Sequence, residues 1–293
     1  MLRAACRLVA AAAAVALAAV SISGAVGLES AFSVSTQVLP STVEAGPLVG
    51  RGGSVVGEAP AMESPRAAGP SGGGVWAVVV GIDDYPGSGR DLRAGIADAA
   101  QMEKVLDLYG VPDTQRSVLV GDVATRDAVM GSFDWLADNA GLDSTVLLFF
   151  SGHVRQVGGD PDGDGEDVDE VLVLADDQTI SDAEVAAALD GTIARRAWLA
   201  IAGCYAGGFD DAMAPGRILT GASPEGALAY ENDRFRLTYL VEYMLKRAIL
   251  EGAAPTSVQD AFAWALAALR EDYPSRLPVM IDEVGGPLVL AGS

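Results

Sequence analysis

Two residues in this sequence have the side chains of a nucleophile and its base, and each directly follows an apolar run. His153 is the only histidine, and Cys204 is one of two cysteines. The runs that precede them span 146–152 and 197–203. In an open parallel α/β sheet, functional groups collect at the carboxyl ends of the strands. The sequence therefore predicts a thiol and an imidazole at one edge of a sheet, which is the pairing of a cysteine nucleophile with its base.

A purely structural role for both residues is the alternative. A lone cysteine is usually a small buried hydrophobe, and a lone histidine is usually a hydrogen-bonded polar residue. Against this, small residues flank both positions: Ser151 and Gly152 precede His153, and Gly203 precedes Cys204. We interpret them as room for a substrate backbone, which a structural cysteine does not need.

The first 25 residues have the three parts of a secretory signal peptide. Arg3 and Arg7 form a positive start, 8–20 is an apolar stretch, and 23–25 is a small-residue cleavage site. We expect a secreted or extracytoplasmic protein without stable membrane insertion after cleavage. An uncleaved anchor is the alternative, although the apolar run is short for a membrane span. Cleavage would remove Cys6 and leave Cys204 unpaired in an oxidising compartment, where most thiols form disulfides.

The remainder divides into two regions. Residues 26–72 are rich in Ala, Gly, Ser and Pro and lack a helical period, which predicts a flexible linker or pro-segment. Residues 73–293 form the predicted domain. There, strands are predicted over 75–82, 117–120, 145–150, 171–174, 197–201, 217–220, 279–281 and 288–290. Helices are predicted over 91–108, 126–139, 182–189, 236–250 and 258–273, the third with Ser181 as its N-cap. This alternation predicts an α/β fold with a mostly parallel central sheet and helices on both faces.

The formal net charge of −21 excludes some partners. Nucleic-acid binding requires a basic surface, and docking on anionic lipid requires basic clusters. We therefore expect neither a nucleic acid nor an anionic membrane surface as a partner.

An acidic loop over 160–170 contains seven carboxylates in eleven residues. Asp160, Asp162 and Asp164 occupy positions one, three and five of an EF-hand-like loop, and Gly165 occupies position six. Position twelve is Val171 instead of glutamate, so a true EF-hand is not expected. The loop is either a Ca²⁺ site or a solvated acidic segment, as charge runs usually are.

Several of these segments, in the same order, resemble the caspase-like cysteine peptidases, and most closely the bacterial metacaspase-type members. The resemblance rests on 80–85, 149–153, the acidic loop and 203–209, and it extends over about 74–290. It implies a caspase-hemoglobinase fold, a Cys/His dyad, and endopeptidase activity on peptide or protein substrates without an organic cofactor.

The resemblance also assigns roles to individual positions. Cys204 would be the nucleophile and His153 its acid/base partner, while the backbone N–H groups of Cys204 and Val154 would stabilise the oxyanion. Position 202, which is Ala202, would contribute to substrate binding. Asp83 is a second candidate for substrate binding because of its place directly after the first strand, although it could instead only cap a turn there. Calcium, which such relatives often need, would be bound by acidic residues of the loop and beyond it: Asp160, Asp162, Asp164, Asp169, Asp182 and Asp211.

Two positions depart from the family pattern. Val154 replaces the glycine that usually follows the histidine, and its β-branched side chain disfavours unusual backbone angles. Ala202 replaces the aspartate that helps metacaspases hold a basic side chain. Two alternatives therefore stay open: a catalytically degenerate, calcium-binding interaction module, and a legumain-like or gingipain-like peptidase with a different specificity at the cleaved residue.

Overall fold

The central sheet is built from the apolar runs of the sequence, which are buried on both faces. The structure, a computed structural model, describes residues 73–87, 89–159 and 167–290, all within one unit of the chain. The strands are β1 Gly74–Gly81, β2 Arg116–Val120, β3 Ser144–Ser151, β4 Val154–Gly158, β5 Val168–Val173, β6 Thr179–Ser181, β7 Arg196–Ala202, β8 Arg217–Gly221, β9 Glu231–Asn232, β10 Leu237–Thr238 and β11 Val279–Asp282. The helices are α1 Gly95–Leu108, α2 Arg126–Asn139, α3 Asp182–Asp190, a π-helix Val241–Leu250 and α4 Val258–Asp272.

Six strands form the main sheet in the order β11-β8-β7-β3-β1-β2. All neighbours are parallel except β11, which is antiparallel to β8. The predicted α/β fold with a mostly parallel sheet is thus confirmed. A three-stranded antiparallel sheet, β4-β5-β6, follows directly after β3 and starts next to His153.

Successive side chains of the central strands enter two separate cores. On β3, Leu147 and Phe149 pack on the face covered by α1, the π-helix and α4. Their neighbours Leu148 and Phe150 pack on the other face, with α2 and α3. This alternation is the period of a strand, and it fixes which side of the sheet each residue faces.

Side-chain caps define the starts of three helices. Thr125 accepts a hydrogen bond from the Ala128 N–H at the start of α2, and Ser257 does the same for Asp260 in α4. Ser181 and Glu184 form a reciprocal capping box at the start of α3, where Ser181 was the predicted cap. No helix in the described part of the chain is long and apolar enough to cross a membrane.

Three predicted elements differ in the structure. The strand predicted over 288–290 is wrong, because the backbone of Leu288 instead bonds to Val258 and to the Gln259 side chain at the start of α4. The helix predicted from 236 begins only after β10, since Arg236 has a positive φ of 53° and turns a hairpin. The first helix begins at Gly95 instead of 91, because Leu92 N–H donates to the Asp83 carbonyl within a loop.

Two glycines allow α1 to approach β1 closely enough to reach the edge of the sheet. A Cβ on Gly95 would overlap the backbone of Ile82, and one on Gly81 would overlap the Gly95 carbonyl and Ala99. The start of α1 is therefore held directly against the carboxyl end of β1.

We expect Gly95→Ala to lower the free energy of unfolding by ~2 kcal/mol or more, because the new methyl group has no space. Gly131→Ala, within α2 and with no atom within 4 Å of the added Cβ, is the matched control. It should raise stability by roughly 0.5–1 kcal/mol, since alanine is the better helix former. Urea unfolding of both variants measures this, and an equal effect of the two substitutions would contradict the close approach.

Candidate active site

His153 and Cys204 lie on adjacent loops because the strands before them are paired in register. Ser151 at the end of β3 is opposite Ala202 at the end of β7. Each functional residue comes two positions later, and neighbouring strands are about 4.8 Å apart. Both residues line one cleft of about 50 Å³, together with Ala202 and Glu231. The structure thus brings the predicted thiol and imidazole together.

The imidazole of His153 is held by groups from the loop between β1 and α1. Its Nε2 lies 2.6 Å from the carbonyl oxygen of Arg90. A carbonyl can only accept a hydrogen bond, so this contact places the proton on Nε2 and leaves Nδ1 as the nitrogen that can accept a proton. Arg90 was not predicted from the sequence, because its backbone carbonyl has no residue-type signature.

Tyr85 supports the same histidine from a second direction. Its hydroxyl accepts a hydrogen bond of 2.9 Å from the His153 N–H and donates one of 3.4 Å to the Val173 carbonyl. The two rings are 4.6 Å apart between centroids. Burial raises the pKa of the Tyr85 hydroxyl, which therefore stays protonated as the donor that this bridge requires.

The glycines before His153 and Cys204 leave space for neighbouring side chains as well as for a substrate. A Cβ on Gly152 would overlap the Tyr85 hydroxyl, and a Cβ on Gly203 would overlap the Val154 side chain. Both glycines also line the cleft. The small residues interpreted as room for substrate thus also admit Tyr85 and Val154 to the site.

Cys204 lies in a sharp turn at the end of β7 and is partly buried. The next residue, Tyr205, has a left-handed φ of 52°, and its N–H donates to the Ala227 carbonyl at 2.8 Å. The Cys204 Sγ donates to the Ala229 carbonyl over 3.8 Å. Burial is the main cause that raises the pKa of the thiol, so Cys204 is mainly protonated at neutral pH in the free protein.

The backbone N–H of Val154 is directed away from β5. Val173 N–H donates to the His153 carbonyl at 2.9 Å, which is one bond of the antiparallel ladder, while the Tyr85 hydroxyl bridges the other side of this residue pair. In such a ladder, the next residue points its N–H to the opposite side. Val154 thus adopts ordinary strand geometry, and its β-branched side chain is compatible with that geometry.

The two residues predicted to bind substrate have different positions. Ala202 lines the cleft, and its side chain is buried. Asp83 instead lies at the start of α1, where its Oδ1 accepts from the Ile96 N–H at 3.4 Å. Burial raises the pKa of Asp83, and the helix N–H groups partly offset this. Asp83 is not among the described residues that line the cleft.

Asp98 is a functional candidate that the sequence analysis missed. It is fully buried on α1, accepts a hydrogen bond of 2.8 Å from the Ser151 hydroxyl, and accepts one of 3.1 Å from the Thr238 N–H. Ser151 and Thr238 both line the cleft. Asp98 lies on the buried face of α1 with Ala99, Met102 and Val105. A carboxylate within the apolar stripe of a helix is the sequence feature that could have identified it.

The predicted calcium ligands are only partly within the described residues. Asp160, Asp162 and Asp164 lie outside them. Asp169 and Asp182 are buried, next to the buried Glu170, whose N–H donates to Asp182 at 2.9 Å, whereas Asp211 is exposed. Carboxylate oxygens are suitable Ca²⁺ ligands, so this donor chemistry fits the ion. Within the described ranges, no three His, Cys, Asp or Glu side chains form a group that could hold a metal.

The fold and the paired cysteine and histidine define a class: an α/β protein with a thiol and an imidazole at the carboxyl edge of a parallel sheet. A family model described as the caspase domain matches residues 75–233, which is more than half of the chain. The chain therefore belongs to the caspase-domain family, whose members are cysteine peptidases.

Solved structures share this fold at low sequence identity. Protein GSU0716 from Geobacter sulfurreducens is 19% identical, with a TM-score of 0.59 over 73% of this chain and 94% of that one. Caspase-1 from Spodoptera frugiperda is 12% identical, with a TM-score of 0.51 over 75% of this chain and 91% of that one. No curated protein matches this chain in sequence.

We expect Asp98 to make the stability of the fold depend on pH. Burial raises the pKa of its carboxyl to about 7, against an ordinary value of 3.8. Between these two pH values the folded state holds a proton that the unfolded state has released. The free energy of unfolding should therefore fall as pH rises through this window, by up to about 1.4 kcal/mol per pH unit.

Asp98→Asn should remove this contribution, since its amide oxygen can still accept from Thr238 and its amide nitrogen can donate to Ser151. Urea unfolding of both proteins between pH 5 and 8 measures the difference. Parallel stability curves for the parent and the variant would show that Asp98 does not titrate in this range.

Proposed function

We propose that this chain is a cysteine endopeptidase, with Cys204 as the nucleophile and His153 as the acid/base. The observation that carries the proposal is the hydrogen bond between His153 Nε2 and the Arg90 carbonyl, in a cleft that both residues of the dyad line. This bond selects the tautomer in which Nδ1 can accept the thiol proton. Orientation of the base by a third group is the arrangement of an activated nucleophile.

The proposed reaction is acyl transfer in two stages. His153 Nδ1 takes the thiol proton as Sγ attacks the peptide carbonyl carbon, forming a C–S bond and an oxyanion. The backbone N–H groups of Cys204 and Val154 are the proposed oxyanion donors, each contributing about 3 kcal/mol to the transition state. The C–N bond then breaks, and the imidazolium gives its proton to the departing amine. Water, deprotonated by His153, hydrolyses the thioester and restores the thiol.

The raised pKa of Cys204 determines when its proton moves. A thiol that is protonated in the free enzyme is a weak nucleophile, so His153 has to act as a general base during attack. We therefore propose that proton transfer accompanies attack on the bound substrate, instead of forming a lasting thiolate beforehand.

The proposed substrate is a polypeptide, bound along the segment 227–231. Ala229 and Tyr230 line both the catalytic cleft and a neighbouring pocket of about 210 Å³, which also contains Leu228, Tyr239 and Leu277. Arg276 stacks over the Tyr230 ring at 3.5 Å. This mostly apolar lining is suited to an apolar side chain near the cleaved bond.

We propose weak selection for a basic residue at the cleaved bond. Ala202 provides no charge in the cleft, and Asp98 is partly protonated near pH 7 because burial raises its pKa. A buried guanidinium without a fully ionised partner is costly. Glu231 is the carboxylate that lines the cleft itself, and it also accepts a hydrogen bond from the Arg93 N–H.

Export and calcium activation are further parts of the proposal. The signal-peptide pattern of 1–25 supports export, and the Ala- and Gly-rich 26–72 supports a linker or pro-segment. The seven carboxylates of the acidic loop sequence, together with the buried carboxylates of Asp169 and Asp182, support calcium binding, since carboxylate oxygens are suitable Ca²⁺ ligands.

The dyad proposal predicts that Cys204→Ala and His153→Ala each reduce peptide hydrolysis by roughly 1,000-fold or more, without additive loss in the double variant. Alkylation by iodoacetamide at pH 7 tests the same pair without a substrate. The parent should react about tenfold faster than His153→Ala, because imidazole assists removal of the thiol proton. Labelling of Cys204→Ala measures the contribution of Cys6, which is subtracted.

The degenerate interaction module predicts a different result. If Cys204 is only structural, alkylation of the parent and of His153→Ala should proceed at the same rate, and no peptide should be cleaved. Equal rates would therefore reject the dyad, whatever the choice of test substrate.

Millimolar Ca²⁺ should raise the melting temperature by about 5 °C, through binding to the folded state in excess of Kd. Asp169→Asn, and separately Asp162→Asn combined with Asp164→Asn, should reduce this shift. Asp107→Asn, which removes one exposed carboxylate at the far end of α1, should leave it unchanged. A calcium titration followed by thermal unfolding decides the matter, and an equal shift in all variants would exclude a specific site.

A further inference from the structure

The carbonyl that orients His153 is that of Arg90, which lies in a loop outside the helices and strands. Arg90 lies between the end of β1 and the start of α1, and it follows Gly87 and Gly89, which have positive φ angles of 98° and 86°. Glycine-rich backbone of this kind has many accessible conformations. The 2.6 Å contact from Arg90 to Nε2 therefore needs support from other groups.

The Arg90 side chain provides a link from this loop to a second part of the fold. Its Nη1 donates to Asp177 Oδ1 at 2.9 Å, and its guanidinium also donates to the Pro86 carbonyl. Asp177 lies in the turn between β5 and β6 with a φ of 62°. Its own N–H donates to the Leu174 carbonyl at 3.0 Å, so the turn that carries the carboxylate is itself hydrogen-bonded.

The same strand that leads to Asp177 also holds the backbone of His153. Val173, the last residue of β5, donates its N–H to the His153 carbonyl and accepts from Tyr85. Asp177 follows only four residues later. One short segment, 173–177, therefore contacts both residues. The backbone of His153 is bonded to it at Val173, and the side chain of Arg90 is bonded to it at Asp177.

The ion pair is exposed, so stability is a poor explanation for it. The two side chains are 37% and 45% exposed, and pairs at such positions contribute little to folding. Arg155 is a second cation near Asp177, at 3.6 Å. The hydrogen bond from Arg90 is nevertheless the main cause that lowers the pKa of Asp177, which keeps this carboxylate charged.

We propose that Asp177 is a positioning residue for His153, which acts by holding Arg90 so that the Arg90 carbonyl stays on Nε2. This inference deepens the proposed peptidase function and rests on it for its effect on turnover. The contact itself is a property of the folded protein, and it can be tested without any substrate.

The single histidine makes that test direct, because the imidazole ¹⁵N spectrum of the full chain contains one residue. In the parent, the proton should reside on Nε2 and exchange slowly with solvent. Asp177→Asn removes the charge but keeps a residue that tolerates positive φ, and it should speed this exchange. Arg90→Ala should have the same effect, and Arg90→Lys should retain much of the parent behaviour.

In hydrolysis, Asp177→Asn should lower kcat about three- to fivefold with KM unchanged, since a pair this exposed is weakly coupled and does not touch the substrate. The double variant with Arg90→Ala should be no slower than either single variant. Asp107→Asn is the matched control: it removes the charge of the exposed Asp107 from its 2.7 Å pair with the mostly buried Arg116 side chain, and it should change neither the spectrum nor kcat.

The outcomes separate the two proposals. An imidazole spectrum in Asp177→Asn identical to the parent, with equal exchange, overturns the positioning role. Altered spectra in Asp177→Asn and Arg90→Ala, but not in Asp107→Asn, support it. If those spectra change while the parent cleaves no peptide, the positioning role stands and the peptidase proposal fails.

Discussion

The parallel pairing of β3 with β7 is the constraint on which the rest of the site depends. Ser151 opposite Ala202 sets where both loops begin, and these loops place His153 and Cys204 in the same cleft. A shift of this register by one residue would exchange the two faces of a strand. Leu147 and Leu148, which enter different cores, would then change sides. The positions of His153 and Cys204 are therefore set by the two hydrophobic cores, whose packing involves many more residues than the contacts within the site.

Within that frame, three further groups hold the residues around the proposed dyad in place. The Arg90 carbonyl selects the tautomer, the Tyr85 hydroxyl joins the start of β4 to the end of β5, and Asp98 connects Ser151 to Thr238. Each hydrogen bond contributes only about 1 kcal/mol to stability. The Arg90 carbonyl contacts the imidazole itself, and its position matters because proton transfer requires a base at hydrogen-bond distance.

The elements that the sequence predicted correctly are those with long apolar runs or clear caps. The strands before His153 and Cys204 are buried throughout almost all of their length, and Ser181 caps α3 as expected.

The strand β4 was missed because four of its five residues are exposed. Arg90 acts through its backbone, which no residue type reveals. Asp98 was not predicted because it lies within the apolar stripe of a helix, whereas the carboxylates that stand out in the sequence lie in loops. The π-helix has the same apolar spacing as an α-helix over ten residues, so the pattern could not distinguish the two.

The burial of Cys204 also bears on how a single thiol could persist outside the cytoplasm, which is the location proposed for this chain from its signal-peptide pattern. The thiolate is the species that oxidants and disulfides attack, and its fraction falls as the thiol pKa rises. Burial raises the pKa of Cys204, and its hydrogen bond to the Ala229 carbonyl requires the protonated form as donor. The same burial would slow catalysis unless a base removes the proton when substrate is present. A neutral thiol beside an oriented imidazole meets both requirements, because in the proposed mechanism the reactive thiolate is produced only during attack on a bound peptide.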